Sequence, residues 1–92
     1  MKVPFFWVND PIGPINLKVD EKAFYSTDGF WGSVHPFYWS INGHKSIKGS
    51  RTFSHNFDAP GIYKLRVREG CPFFGESAVS NWSKELKIEV VK

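Results

Sequence analysis

Residues 55–67, His-Asn-Phe-Asp-Ala-Pro-Gly-Ile-Tyr-Lys-Leu-Arg-Val, constrain the fold of this chain more than any other stretch. They read as one strand ending at Phe57, a tight corner at Asp58-Ala59-Pro60-Gly61, and a second strand starting at Ile62. Tyr63, Leu65 and Val67 then share one face, and Lys64, Arg66 and Arg68 share the other. This is the period-two pattern of a half-buried antiparallel strand. It speaks to architecture and carries no chemistry of its own.

The same alternation recurs along the chain. Phe5-Phe6-Trp7-Val8 reads as a first strand, with Pro4 tolerated at its start. Asp10-Pro11-Ile12-Gly13-Pro14 is a rigid turn, because each proline fixes φ and lacks a backbone donor. Ile15, Leu17 and Val19 fall on one face of a second strand, or of the first resumed after a break. Ala23-Phe24-Tyr25 begins a short segment whose register the pattern leaves open. Phe37, Trp39 and Ile41 face one way in a strand that ends at Asn42-Gly43, a strong hairpin dipeptide. A polar edge segment spans residues 44–50, and Phe53, His55 and Phe57 alternate after it. Residues 69–76 read as a glycine-bounded loop following a strand that ends near Arg68, and residues 77–83 are polar apart from Ala78, Val79 and Trp82. The last strand turns Leu86, Ile88 and Val90 inward.

No segment has a sustained helical period, and there is no internal repeat. Six to eight short strands separated by turns within 92 residues predict an all-β fold, an antiparallel β-sandwich of about seven strands forming a single domain over residues 1–92. The one cysteine, Cys71, excludes an internal disulfide and a cysteine-rich zinc site. Packing alone must hold the sheets together. Nine Phe, four Trp and three Tyr can supply that packing, although so many large rings cannot all fit inside.

Two upstream and downstream segments extend the reading. His55-Asn56-Phe57-Asp58-Ala59-Pro60-Gly61-Ile62-Tyr63-Lys64-Leu65 resembles the corner of polycystic-kidney-disease (PKD) type domains, in which Pro-Gly-x-Tyr leads into the sixth strand. Tyr38-Trp39-Ser40-Ile41-Asn42-Gly43 resembles the aromatic-Trp-x-apolar strand of that family, without the glycine-aspartate pair that usually follows it. Residues 75–83, from Gly75-Glu76-Ser77 to Trp82-Ser83, look more like a fibronectin type III ending. Both families share the immunoglobulin-like sandwich. The resemblance implies such a fold, with Tyr63 as a tyrosine corner bonding back to the backbone and Leu65 where disulfide-bonded immunoglobulin domains carry a cysteine.

Catalytic and metal chemistry find little support. His35, His44 and His55 lie in different elements with no ligand spacing, and His55 sits on an apolar strand face as a structural histidine would. Cys71 has no histidine beside it to activate a thiolate. Asp28-Gly29 and Asp58 belong to turns rather than to a dense acidic calcium loop. The chain therefore reads as a non-enzyme with no catalytic residue, metal site or cofactor. Its net charge of +3 comes from scattered Lys and Arg, which reads as a solvated surface rather than a nucleic-acid patch. No run approaches membrane-spanning length.

The feature with functional promise is a pair of loops. In an immunoglobulin-like sandwich the loop between the second and third strands and the loop between the sixth and seventh emerge at the same end. Here they carry Phe30 and Trp31, and Phe73 and Phe74, with Trp82 nearby. Exposed, these aromatics would stack on sugar rings or anchor a protein partner; folded inward, they would lid the core. The expectation is a monomeric, non-catalytic interaction module of a larger surface-displayed protein, extracellular or on a virion, attaching to cell-surface glycans or a protein partner. A purely structural spacer or capsid-decoration domain is the alternative.

Overall fold

The computed structural model describes residues 7–30, 36–71 and 75–92, the side chains of residues 71 and 75–77 apart. The readings for Phe5, Phe6, Trp31, His35, Phe73 and Phe74 lie outside the described residues. The described residues form eight strands: β1 (Asn16–Lys18), β2 (Lys22–Ser26), β3 (Phe37–Ile41), β4 (Ile47–Gly49), β5 (Thr52–Asn56), β6 (Gly61–Cys71), β7 (Gly75–Val79) and β8 (Leu86–Val91). The larger sheet runs β1-β8-β6-β3-β4, with β7 paired to the far end of β6, and β2 and β5 make the second sheet. β1 joins β8 in parallel, whereas the other strand pairs are antiparallel.

The N-terminal segment serves both sheets. Val8 and Ile12 bridge to Gly29 and Ser26 beside β2, and the chain then crosses to place β1 against β8. The crossing is made by Pro11-Ile12-Gly13-Pro14, which the sequence reads as a rigid turn; here Ile12 pairs with Ser26 and the chain bends at Gly13. Of the described part of that stretch, Val8 forms an isolated bridge, and the Asn9-Asp10-Pro11 break follows at once. Tyr25 fastens the crossing: its hydroxyl donates to the Pro14 carbonyl at 2.8 Å. Burial, and secondarily the charge of Glu21, pushes that phenol from 10.0 up to about 12, so it remains a donor at any ordinary pH.

Between the sheets lies a core of Leu17, Ala23, Tyr25, Phe37, Trp39, Phe57, Leu65, Val67, Ile88 and Val90. An aromatic ladder stitches it together across both layers. Trp39 of β3 stacks on Phe53 of β5 at 5.2 Å, Phe53 stacks on His55 at 5.8 Å, His55 meets Phe57 edge-on at 4.6 Å, and Phe57 meets Tyr63 of β6 at 4.4 Å. Such pairs add about 0.5–1.5 kcal/mol each beyond burial. His55 is a rung of this ladder.

The residue 55–67 corner is built as read. The Tyr63 hydroxyl donates to the Ala59 carbonyl at 2.7 Å, tying the start of β6 back to the loop that precedes it. Tyr63→Phe is expected to cost about 1 kcal/mol through loss of that bond, measured as a shift in the urea midpoint at unchanged slope. Asn42 and Gly43 both take positive φ, 55° and 73°, as the tight hairpin turn after β3 requires. The His44 amide closes the turn on the Ile41 carbonyl at 3.0 Å.

Two boundaries differ from the sequence reading. β6 continues past Arg68 to Cys71, because Glu69 pairs with Phe37 and the Gly70 amide reaches the Pro36 carbonyl at 2.8 Å. The polar stretch after it contains β7, which returns along the end of β6 through the Gly70–Val79 and Cys71–Gly75 pairs. Ile15, expected inward, is 48% exposed, since β1 begins one residue later and buries Leu17 alone.

Candidate functional site

The end of the sandwich where β2 runs into the following loop is assembled from three segments. Residues 7–9 lie antiparallel to residues 28–30: the Asn9 amide donates to the Asp28 carbonyl at 2.8 Å and the Phe30 amide to the Trp7 carbonyl at 2.9 Å. The Thr27 hydroxyl donates to the Asn9 carbonyl at 2.6 Å, and the Thr27 amide to the Arg51 carbonyl at 2.8 Å. The Gly29 amide donates to Asp28 Oδ1 at 2.9 Å, a turn built from the aspartate's own side chain.

Gly29 then packs directly on the end of β6. A Cβ there would lie 2.5 Å from Glu69 Oε2 and 2.7 Å from its Cδ. Glu69 is fully buried, and its amide donates to Ser80 Oγ at 2.9 Å. The flank of the β2–β3 loop and the end of β6 are therefore in contact, at one pole of the domain. Among the described residues, Trp7 at 51% and Phe30 at 43% are the aromatic side chains exposed here, on backbones bonded to each other.

Phe30 stands at this pole and Trp82 does not. On β6 the inward residues Leu65 and Val67 pair with Ile41 and Trp39, so Arg66 and Arg68 point out of the larger sheet. Trp82 lies over them: the guanidinium carbons of Arg66 and Arg68 sit 4.2 and 4.4 Å from its ring centroid. Ser83 sets this position, its hydroxyl accepting from the Val67 amide at 3.0 Å while its own amide donates to the Val67 carbonyl at 2.8 Å. The indole face is thus engaged by cations within the chain.

Trp7 is the pole residue that sequence reasoning missed. It was placed in a strand on its apolar neighbours, yet the Asn9-Asp10-Pro11 break two residues on already limited how far that strand could pair. Among the described residues no three His, Cys, Asp or Glu side chains converge on a common point.

With this geometry in hand, solved structures decide the fold. The chain superposes on the PKD domain of an M14-like peptidase from a Thermoplasmatales archaeon with a TM-score of 0.66, at 21% identity over 92% of this chain and 96% of that one. This is a PKD-like immunoglobulin-type β-sandwich. The CARDB domain of a Pyrococcus furiosus protein is also similar, in a crystal structure with di-metal ions (TM-score 0.64, 19% identity, covering 99% of this chain and 96% of that one) and in solution (TM-score 0.66, 20% identity, 99% and 98%). No protein-family profile matches the chain, and no curated protein matches it in sequence. The PKD-like sandwich accounts for the Tyr63 corner, and the buried Trp39 packs between its sheets without a disulfide.

Proposed function

We propose that this domain is a non-catalytic interaction module that attaches a larger, surface-displayed protein to a cell-surface glycan or a protein partner through its aromatic pole. The observation that supports it is the exposed pair Trp7 and Phe30, held side by side by the Phe30–Trp7 backbone bond where the β2–β3 loop meets the end of β6. Partly exposed rings fixed on paired backbone suit sugar stacking or a hydrophobic anchor at low entropic cost. Trp31, Phe73 and Phe74, outside the described residues, are included in the proposed surface as sequence neighbours of Phe30 and of the end of β6. Trp82, turned to the sheet's outer face, is left out of it.

Titrating tryptophan emission with a panel of cell-wall and lipopolysaccharide polysaccharides tests the reading. At least one should shift or quench the emission, and Trp7→Ala should lose the response while its melting temperature stays within a few degrees of wild type. A flat response across the panel, together with no partner whose binding depends on Trp7, would leave the spacer role.

A further inference from the structure

We propose that the outer face of the larger sheet is a second binding surface, separate from the aromatic pole, and that its ligand is a linear anionic polysaccharide carrying carboxylate or sulfate groups. Strand register creates this face. Tyr38 of β3 is flanked by Lys48 of β4 and Arg68 of β6; Ser40 is flanked by Arg66; and Lys64 of β6 pairs with Lys87 of β8. Because Trp39, Leu65, Val67 and Ile88 occupy the inner side of the same strands, all five cations project to the outer one. Cations that look scattered along the chain are gathered across four neighbouring strands, about 4.8 Å apart.

The distribution is one-sided. On the second sheet the outward positions of β2 and β5 are Lys22, Phe24, Ser26, Thr52, Ser54 and Asn56, with a single cation. Among the described side chains, two acids border the cationic strip: Glu89 stands further toward β1, and Glu85 shares a shallow groove of about 400 Å³ with Asn42, Gly43, Ile62, Lys64 and Arg66. Lys48, Lys64 and Lys87 of the strip are exposed, and Lys64 also lines the groove. Stacked over Trp82, the Arg66 and Arg68 guanidiniums have buried Nε atoms, so the exposed Lys48, Lys64 and Lys87 are the cations that a carboxylate or sulfate meets first, with the two arginines adding positive charge behind them.

The same stacking argues against nucleic acid. Bases need a free aromatic face or an element that enters a groove. On this face Tyr38 is only 3% exposed, Trp82 has two guanidiniums over its ring, and the described residues present a sheet surface with no helix. A polyanion without bases fits the charge and lacks nothing it would need.

The test uses the full chain with four probes: polygalacturonate and heparin as carboxylated and sulfated polysaccharides, dextran as a neutral one, and oligothymidylate as a nucleic acid. Lys48→Glu/Lys64→Glu is compared with Lys22→Glu/Arg51→Glu, which makes the same charge change elsewhere. At low salt the wild type should bind at least one anionic polysaccharide and not dextran. The Lys48/Lys64 variant should weaken that binding by about tenfold or more, the control by less than about twofold, and the wild-type affinity should fall steeply with salt. Both variants change exposed residues, so melting curves should match wild type; if Lys48→Glu/Lys64→Glu fails to fold, Lys48→Gln/Lys87→Gln replaces it with the same ordering expected. Equal loss in both variants would reduce the effect to net charge and overturn the proposal. So would oligothymidylate binding as tightly as the polysaccharides, or no binding to either anionic polysaccharide. Trp7→Ala should leave this binding unchanged, which separates its outcome from that of the aromatic pole.

Discussion

Trp39→Ala should lower the unfolding free energy by about 3–5 kcal/mol, the cost of emptying a fully packed aromatic site. Trp39 is wholly buried, stacks on Phe53 across the sandwich, and donates its indole N–H to the Ser50 carbonyl at 2.9 Å. Its removal opens a cavity, ends the aromatic ladder at one side and leaves that carbonyl without its side-chain donor. Domains of this size are stable by about 5–15 kcal/mol in total, and no disulfide limits the unfolded chain here. The variant should therefore be largely unfolded at moderate temperature, read by the loss of strand signal in circular dichroism. Trp39→Phe keeps a ring on Phe53 and should lose distinctly less. Equal losses in the two variants would mean that the ladder contributes little.

Gly13→Ala should be the next most damaging of the changes considered, at about 1–3 kcal/mol through overpacking. A Cβ at residue 13 would meet the Tyr25 ring and come within 2.7 Å of the Phe24 carbonyl oxygen. The oxygen belongs to strand backbone and cannot rotate away, and the ring is pinned by its bond to Pro14. The substitution pushes the N-terminal segment off β2 at the point where it changes sheets. Equilibrium urea unfolding would show it as a lowered midpoint, and hydrogen exchange should speed up first at Ile12 and Ser26, whose amides bond each other's carbonyls at 2.9 Å. Unchanged exchange at those two amides would contradict the assignment of Gly13 as a close-approach position.

Strand alternation made much of this fold legible beforehand. Phe37, Trp39 and Ile41, then Phe53, His55 and Phe57, and finally Leu86, Ile88 and Val90 were each read onto the face they occupy, because a period of two with one apolar face admits a single register. The Tyr63 corner followed from Pro60-Gly61 and the spacing to Leu65. β7 was hidden because its pairing rests on backbone bonds to the end of β6, and its composition of Gly, Glu, Ser, Ala and Val has little apolar period to detect. Glu69 falls in the glycine-bounded stretch that reads as a loop, yet the alternation through Leu65 and Val67 continues to it and turns it inward, where it is fully buried.

The candidate surfaces were less legible, for a physical reason. Which loops share a pole follows from topology, and Phe30 could be placed that way, but Trp7 reaches the pole through a bridge to Gly29's neighbourhood that no local pattern signals. Trp82 is near the loops in sequence and turns away from them because Ser83 bonds Val67. Lys48, Arg66 and Lys87 belong to three strands, and only the register between those strands shows that they share a face.

The most direct test of the interaction-module account is to map binding on the amide NMR spectrum of the intact chain, titrated with a polysaccharide that changes its tryptophan emission. The account predicts that a neutral polysaccharide shifts amides at Trp7, Asp28, Gly29 and Phe30 and at the end of β6 near Glu69 and Gly70, and leaves Lys22, Ser54 and Asn56 on the second sheet unmoved. Shifts centred on the second sheet, or spread evenly over the domain, would contradict it.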